Sequence, residues 1–350
     1  MLTELEKLIE RSEREDEHKH DTILAPAKIT LDPNAKMMIQ PEGGYGMAPL
    51  TISEHALWQM CAKLSPTVYG KGSQKALPFD YFTKIDKDLL AENLNRHLSK
   101  TNHGSQWLVR GYDETVRAVL DGRYPGGHTP GMGFENTTYL KTLHGFLSDK
   151  ERPDFKAVRP SVTADELHLK TVWRDVGDGG WGIGVYLGNS ETGTFKLRGY
   201  PMIQRTSCSN SLIKRDEDSG FEFVHRGSFA SLKVQFKAAL GRILQASAEL
   251  LDRMIEAESE LIPDIDEVLD GICLERNWAI PVRAAVLNGF EGHQTRAALV
   301  NGVTFAAHSV FDDPNVQVDT ELFGGELLYA DPRKFHQYAM VARQEKAGLR

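Results

Sequence analysis

The sequence predicts an α+β protein: a central antiparallel sheet, a helical N-terminal part, and a helical C-terminal half packed on one face of the sheet. Three observations carry this expectation. Residues 155–226 hold apolar runs that alternate at period two between glycine-rich turns. From Phe229 the period becomes 3.6, with Leu232, Phe236, Ala239, Leu240, Ile243, Leu244, Leu250, Leu251, Met254 and Ile255 in one apolar stripe. Pro263 breaks that run, and helical patterns return around 264–274, 281–287, 295–309 and 331–343. The expected organisation is a charged arm and Pro/Gly-rich connector at 1–50, a core at 51–310, and a C-terminal helical tail at 311–350. Within the core, 51–150 is helical, 155–226 is sheet and 229–310 is helical.

The elements follow in order. Residues 1–22 alternate acids and bases and read as a short solvated helix or a disordered arm, with His18 and His20 in a solvated tail. Residues 23–50 carry Pro26, Pro33, Pro41 and Pro49 and the run QPEGGYG, which suits an extended connector. Thr51 and Glu54 fit a capping box that opens a helix through Ala56, Leu57, Met60, Cys61 and Leu64, and Ser65-Pro66 ends it. A second helix spans about 84–99. Residues 107–110 read as a strand. Asp113 caps a helix holding Val116, Val119 and Leu120. The loop GGHTPGMG (126–133) lacks the lysine of a phosphate cradle, and a helix follows at about 136–147. In the sheet region the alternating glycines of GWGIGV lack the strand–turn–helix context of a dinucleotide fingerprint. Ser228 is the expected cap of the long helix.

Composition bounds the function. The chain has 350 residues and a net charge of −8, unevenly spread. Glu249 to Glu275 holds ten acids against one base, Arg253, while Phe195 to Arg242 holds nine bases against four acids. A net-acidic protein is a poor generic duplex binder, yet the basic segment permits an anionic partner on one face. Three scattered cysteines without a CxxC pair argue against a zinc site or a disulfide framework. No apolar run is long enough to span a bilayer, and the charged N-terminus lacks a signal core, so a cytoplasmic protein with no membrane partner is expected.

Arg110, Arg117 and Arg123 frame one segment. Lys196, Arg198, Arg205, Lys214, Arg215 and Arg226 decorate the sheet, with Tyr124 and Tyr200 among them. Cations that follow phosphates, interleaved with rings that stack on bases, suit single-stranded nucleic acid. The plainer alternative is solvated surface lysines and arginines, some paired with Asp216, Glu217 and Asp218. Lys196, Arg198 and Tyr200 are two apart and share a strand face. Cys208 with His225 could form a nucleophile and base, but CSNS also fits a strand-end turn. Asp266 and Asp270 are i,i+4 and are weak metal candidates; acids there also complement a helix N-terminus.

Four segments resemble the phage- and plasmid-borne family called domain of unknown function 932. They are Leu89 to Leu98 (an LxxNLNxxL element), Arg117 to Tyr124, Cys208 to Leu212 followed by His225 to Gly227, and Asn301 to Thr304, spanning about residues 50–310. Gly122 and Ser211 depart from the pattern, and a serine at 211 would be strained if that position needs φ > 0. The resemblance implies a mobile-element protein without an assigned chemistry. The leading expectation is therefore a protein that binds single-stranded DNA on the basic sheet and anneals strands as a homo-oligomer in recombination or replication, with no cofactor and no catalytic residue. The acidic 249–275 stretch would then pair with a neighbour's basic face. The alternatives are an inhibitor that meets a host protein through the acidic helical face, and a metal-dependent nuclease using the 264–270 acids.

Overall fold

A computed structural model describes residues 2–39, 48–69, 79–101, 104–122, 135–148, 156–163, 165–176, 180–205, 210–215, 218–224, 229–290 and 293–348. The fold is an α+β mixture with antiparallel sheets and a helical C-terminal half. The N-terminal part, however, is not purely helical.

Helix α1 (Leu2–Asp16) buries Leu5, Leu8 and Ser12, one helical face at spacings of three and four, against the later helix α5 (Asn136–Ser148). It is a docked helix and not a free arm. The connector region folds into strands β1 (Lys19–Leu24), β2 (Ile29–Leu31) and β3 (Met37–Ile39). Strand β4 (Thr51–Ile52) takes Thr51, the cap expected of that box, and Ser53 caps α2 (Glu54–Tyr69) instead, its Oγ accepting from the Ala56 N–H at 3.2 Å. Helix α2 also runs past Pro66 to Tyr69, beyond the stop expected at Ser65-Pro66. The helix expected over about 84–99 is α4 (Lys87–Leu98), and a short α3 (Phe79–Phe82) precedes it.

Residues read as a strand and a helix form a hairpin, β5 (Trp107–Tyr112) and β6 (Thr115–Asp121), turning at Asp113 with φ 48°. Both faces of β6 are covered, so Val116, Ala118, Val119 and Leu120 are all buried and no alternation marks the strand. The first sheet has the order β1-β5-β6-β4, with β4 parallel to β6, and α2 and α4 pack on it around Met60, Leu64 and Leu94.

The central sheet is a meander of β7 (Lys156–Val162), β8 (Glu166–Val176), β9 (Trp181–Ser190) and β10 (Leu197–Arg205). Two short strands share the far edge of β10: β11 (Ser211–Ile213) on its end and β12 (Phe221–Phe223) on its start. Ser211 is a buried strand residue outside the positive-φ set, so its side chain brings no backbone strain. Gly184 lies on β9, where a Cβ would stand 1.9 Å from the Thr171 carbonyl. Within GWGIGV, Gly184 thus serves close strand packing, and Gly180, with φ 66°, makes the turn into β9.

Helix α6 (Phe229–Glu256) crosses one face, burying Phe236, Leu240 and Ile243 against Val185, Leu187 and Leu197. The cap expected at Ser228 lies outside the described residues. Beyond α6 come α7 (Ile265–Arg276), α8 (Ile280–Gly289), α9 (Arg296–Ser309), α10 (Pro314–Leu328) and α11 (Pro332–Lys346). Helix α10 covers the opposite sheet face, where Val318 and Leu322 meet Val172, Tyr186, Tyr200 and Met202. The helical half therefore packs on both faces of the sheet and not on one.

Candidate nucleic-acid interface

The alternation of β10 decides where its charged residues go. Leu197 and Ile203 point to the α6 side, whereas Arg198, Tyr200 and Met202 point to the α10 side. The shared face expected for Lys196, Arg198 and Tyr200 is therefore real, but α10 roofs most of it. Tyr200 is buried and stacks on Tyr186 with ring centroids 6.1 Å apart. Burial and the neighbouring Glu222 push its phenol well above the ordinary range, so it donates a hydrogen bond to Glu222. Arg198 is half-buried, its Nε 3.2 Å from the Tyr186 hydroxyl and its guanidinium 4.2 Å from the Phe195 ring centroid.

Open surface begins at the edge that β12 adds. Lys196 Nζ lies 3.1 Å from Glu222 Oε2, and Arg215 Nη2 lies 2.6 Å from Glu222 Oε1. The two cationic side chains are 54 % and 61 % exposed. Partial burial opposes ionisation of Glu222. The hydrogen bonds from Tyr200 and Lys196 and the charge of Arg215 outweigh it, and the carboxyl is held below its usual range. At neutral pH one carboxylate thus bridges two solvent-facing cations, with Arg198 directly opposite Glu222 in the β10–β12 register.

The other expected contacts are dispersed. Lys214 sits with its ammonium 4.4 Å from the Tyr329 ring centroid, and Arg205 is half-buried on the rim of a 350 Å³ cleft with Trp181, Phe290 and His293. Arg117 lies in the first sheet, 39 % exposed, with Nη1 3.2 Å from Asp165. Arg110 is 2 % exposed and cannot reach a ligand. Its guanidinium donates to both oxygens of Asp21 at 2.9 and 2.6 Å and to the Glu191 carbonyl at 3.0 Å. Fully buried Glu191 also meets Lys19 and accepts from the Asn136 N–H. Burial pushes the Glu191 and Glu135 carboxyls up beside it. Arg110 is therefore a bolt between the two sheets. Arg123, Tyr124 and Arg226, and likewise Cys208 and His225, lie outside the described residues.

Part of the acidic segment is spoken for inside the chain. Glu260 pairs with Arg253 and Arg296, Asp264 and Glu267 pair with Arg343, and Asp270 lies 2.6 Å from Arg283 and 2.8 Å from Lys346. Burial opposes ionisation of Asp270, but hydrogen bonds from Lys346 and Arg283 hold its carboxyl below the usual range. The i,i+4 partner of Asp270, Asp266, is exposed on α7, and no grouping of three metal-ligating side chains occurs among the described residues. His18 and His20 both turn to Asp113, at 2.9 Å and 2.6 Å, and pin β1 to the hairpin turn.

Sequence reasoning passed over the polar chain behind this edge. Glu166 receives Thr194 Oγ1 at 2.5 Å and Asn315 Nδ2 at 2.9 Å, and its other neighbour His168 lies 3.0 Å from the Tyr186 hydroxyl, which Arg198 also touches. Two residues beyond His168 on β8, Lys170 Nζ meets the fully buried Glu321 at 2.6 Å, and His308 lies 2.7 Å from the same carboxylate. The period-two spacing of Glu166, His168 and Lys170 on β8 was the available signal.

No family model, curated protein or solved structure matches this chain. The likeness to domain of unknown function 932 rests on its four motifs alone. Among the described residues, no helix is long and apolar enough to cross a membrane.

Proposed function

We propose that this chain binds single-stranded DNA along the β10–β12 edge and serves strand annealing in the recombination or replication of a mobile element. One observation carries the reading: two exposed cations, Lys196 and Arg215, share a single carboxylate at the rim of the sheet. Exposed ion pairs contribute only ~0–1 kcal/mol each. A backbone phosphate can therefore take the place of Glu222 between these cations at small cost, and it releases condensed counterions as it does so. Arg198, its guanidinium 4.2 Å from the Phe195 ring centroid, supplies an adjacent stacking surface for a base. Annealing needs binding without sequence readout, which a phosphate-and-stacking edge supplies.

The test is fluorescence anisotropy of a labelled single-stranded oligonucleotide across a salt series. Lys196→Glu with Arg215→Glu abolishes binding in this reading. Glu222→Gln keeps an acceptor for Tyr200 but removes the competing anion, and it tightens binding about threefold to tenfold. Binding that ignores all three substitutions would remove this edge from consideration.

A further inference from the structure

Helix α6 carries two heptad stripes. The inward one, Phe236, Leu240, Ile243, Ser247, Leu250 and Met254, is buried. The outward one is Val234, Ala238, Gly241, Gln245, Ala248, Asp252 and Ile255, and every member is exposed. The two stripes are offset by two residues, which is about 200° around the helix, so they lie on opposite faces. Val234 and Ile255, at the ends of the outward stripe, are 69 % and 52 % exposed, and space is open around the Cα of Gly241 at its centre. A surface helix of a globular domain needs one apolar stripe. The outward positions have the spacing of a helix–helix seam, and what marks them is their occupants: one charge, Asp252, among seven, with exposed aliphatic side chains at both ends.

Charge along the same helix settles the orientation of a partner. From Phe229 to Ala248 it holds Lys233, Lys237 and Arg242 and no acid; from Glu249 to Glu256 it holds Glu249, Asp252 and Glu256 against Arg253. A parallel copy would set like charges side by side. An antiparallel copy sets each cationic half on an acidic half.

We infer that α6 is a self-association surface whose partner is a second copy of this chain, packed antiparallel about a twofold axis at Gln245. In that register Ala238 faces Asp252 of the second copy, while Val234 and Gly241 come within one residue of facing Ile255 and Ala248. Gln245 meets its own symmetry mate. Arg242 and Glu249 flank the seam and meet across it twice, once on each side of the axis. The small residues at the middle allow close approach of the helices, and the aliphatic pairs close both ends. The seam from 234 to 255 is about 32 Å long. An interface of this kind is isologous, so it closes at a dimer. The inference is independent of nucleic-acid binding, because Lys196, Arg215 and Glu222 take no part in it.

Sedimentation velocity of the full chain over a range of concentrations tests it. The chain is expected at roughly twice its 39.1 kDa mass, dissociating as salt rises. Arg242→Glu or Glu249→Arg alone places like charges together at both symmetric positions and weakens the dimer about tenfold. The two substitutions in one chain restore opposite charges across the axis and return the dissociation constant to within about threefold of the original. Gln245→Cys forms a disulfide-linked dimer under mild oxidation, and Glu258→Cys, off the seam, does not. All four positions face solvent, and circular dichroism verifies that the fold is kept. A monomeric chain at every concentration overturns the inference, as does a double charge swap no better than the single ones, or a dimer that the swaps leave unchanged. Lys196→Glu with Arg215→Glu leaves the dimer intact, so failure of the DNA-binding reading and failure of this one are separately visible.

Discussion

Glu321 offers the sharpest test of how the sheet is roofed. It is fully buried on α10, with Lys170 of β8 2.6 Å away and His308 of α9 at 2.7 Å. Glu321→Gln keeps the shape and an acceptor for His308 but leaves the Lys170 ammonium, itself 5 % exposed, without a counter-charge. Breaking a buried pair from one side costs about 3–5 kcal/mol, most of it the desolvated orphan charge. Adding Lys170→Met removes that orphan and recovers most of the loss, so the double-mutant cycle has a coupling of about 2–4 kcal/mol. Urea unfolding followed by circular dichroism reads both quantities. The loss should also loosen α10 over Tyr186 and Tyr200, and with it the posture of Arg198, so oligonucleotide binding weakens alongside stability. A Glu321→Gln cost below about 1 kcal/mol, additive with Lys170→Met, would refute the assignment of this pair as the lock between sheet and roof.

Three further outcomes follow from named contacts. Burial works against ionisation of Glu166, yet hydrogen bonds from His168, Thr194 and Asn315 bring its pKa down to about 2. Its stabilisation is present above the ordinary value near 4.5 and is lost as pH falls toward 2. Glu166→Gln should therefore flatten acid unfolding in that window by about 1–2 kcal/mol, allowing for solvent screening of a partly exposed group. Gly271→Ala puts a Cβ 2.0 Å from the Tyr338 carbonyl where α7 meets α11, costing about 1–3 kcal/mol or more, whereas Gly145→Ala, with open space on α5, gains about 0.5–1 kcal/mol; thermal unfolding of the two reads opposite signs. Burial pushes the Cys61 and Cys273 thiols up to about 11, so mapped thiol labelling at neutral pH should be slow at both until the chain unfolds; reaction within seconds in the native protein would contradict the packing around them.

Much of the architecture was legible from periodicity. Strand β8 alternates over Leu167 to Trp173 and glycine-rich turns mark off the strands that follow, while the long run of α6 keeps one buried stripe, so both the meander and the helix were visible in the sequence. The hairpin β5–β6 was read as part helix because strands covered on both faces lose their alternation. Helix α10 falls within the expected helical tail at 311–350, but its own bounds were not legible, for a different reason. Val316, Val318 and Thr320 mimic a strand, and Gly324 and Gly325 look like a turn. Those glycines are needed because the helix nearly touches β11, where a Cβ on Gly325 would stand 2.2 Å from the Ile213 carbonyl. The basic residues of the candidate site were found by composition, but composition carries no information about partners. Arg110 looked like a surface cation and is a buried bolt, because Asp21 and Glu191 come to it from other strands. Glu222, the residue on which the edge converges, was invisible for the same reason: Lys196 and Arg215 reach it across 26 and 7 positions of sequence.

The measurement that bears most directly on the functional reading is the salt dependence of single-stranded oligonucleotide binding by the original chain beside Lys196→Glu with Arg215→Glu. The account predicts binding that weakens steeply with salt and is lost in the double variant, with Glu222→Gln moving the other way. A chain that fails to bind single strands even at low salt, or binds equally well after both charges are reversed, would contradict it.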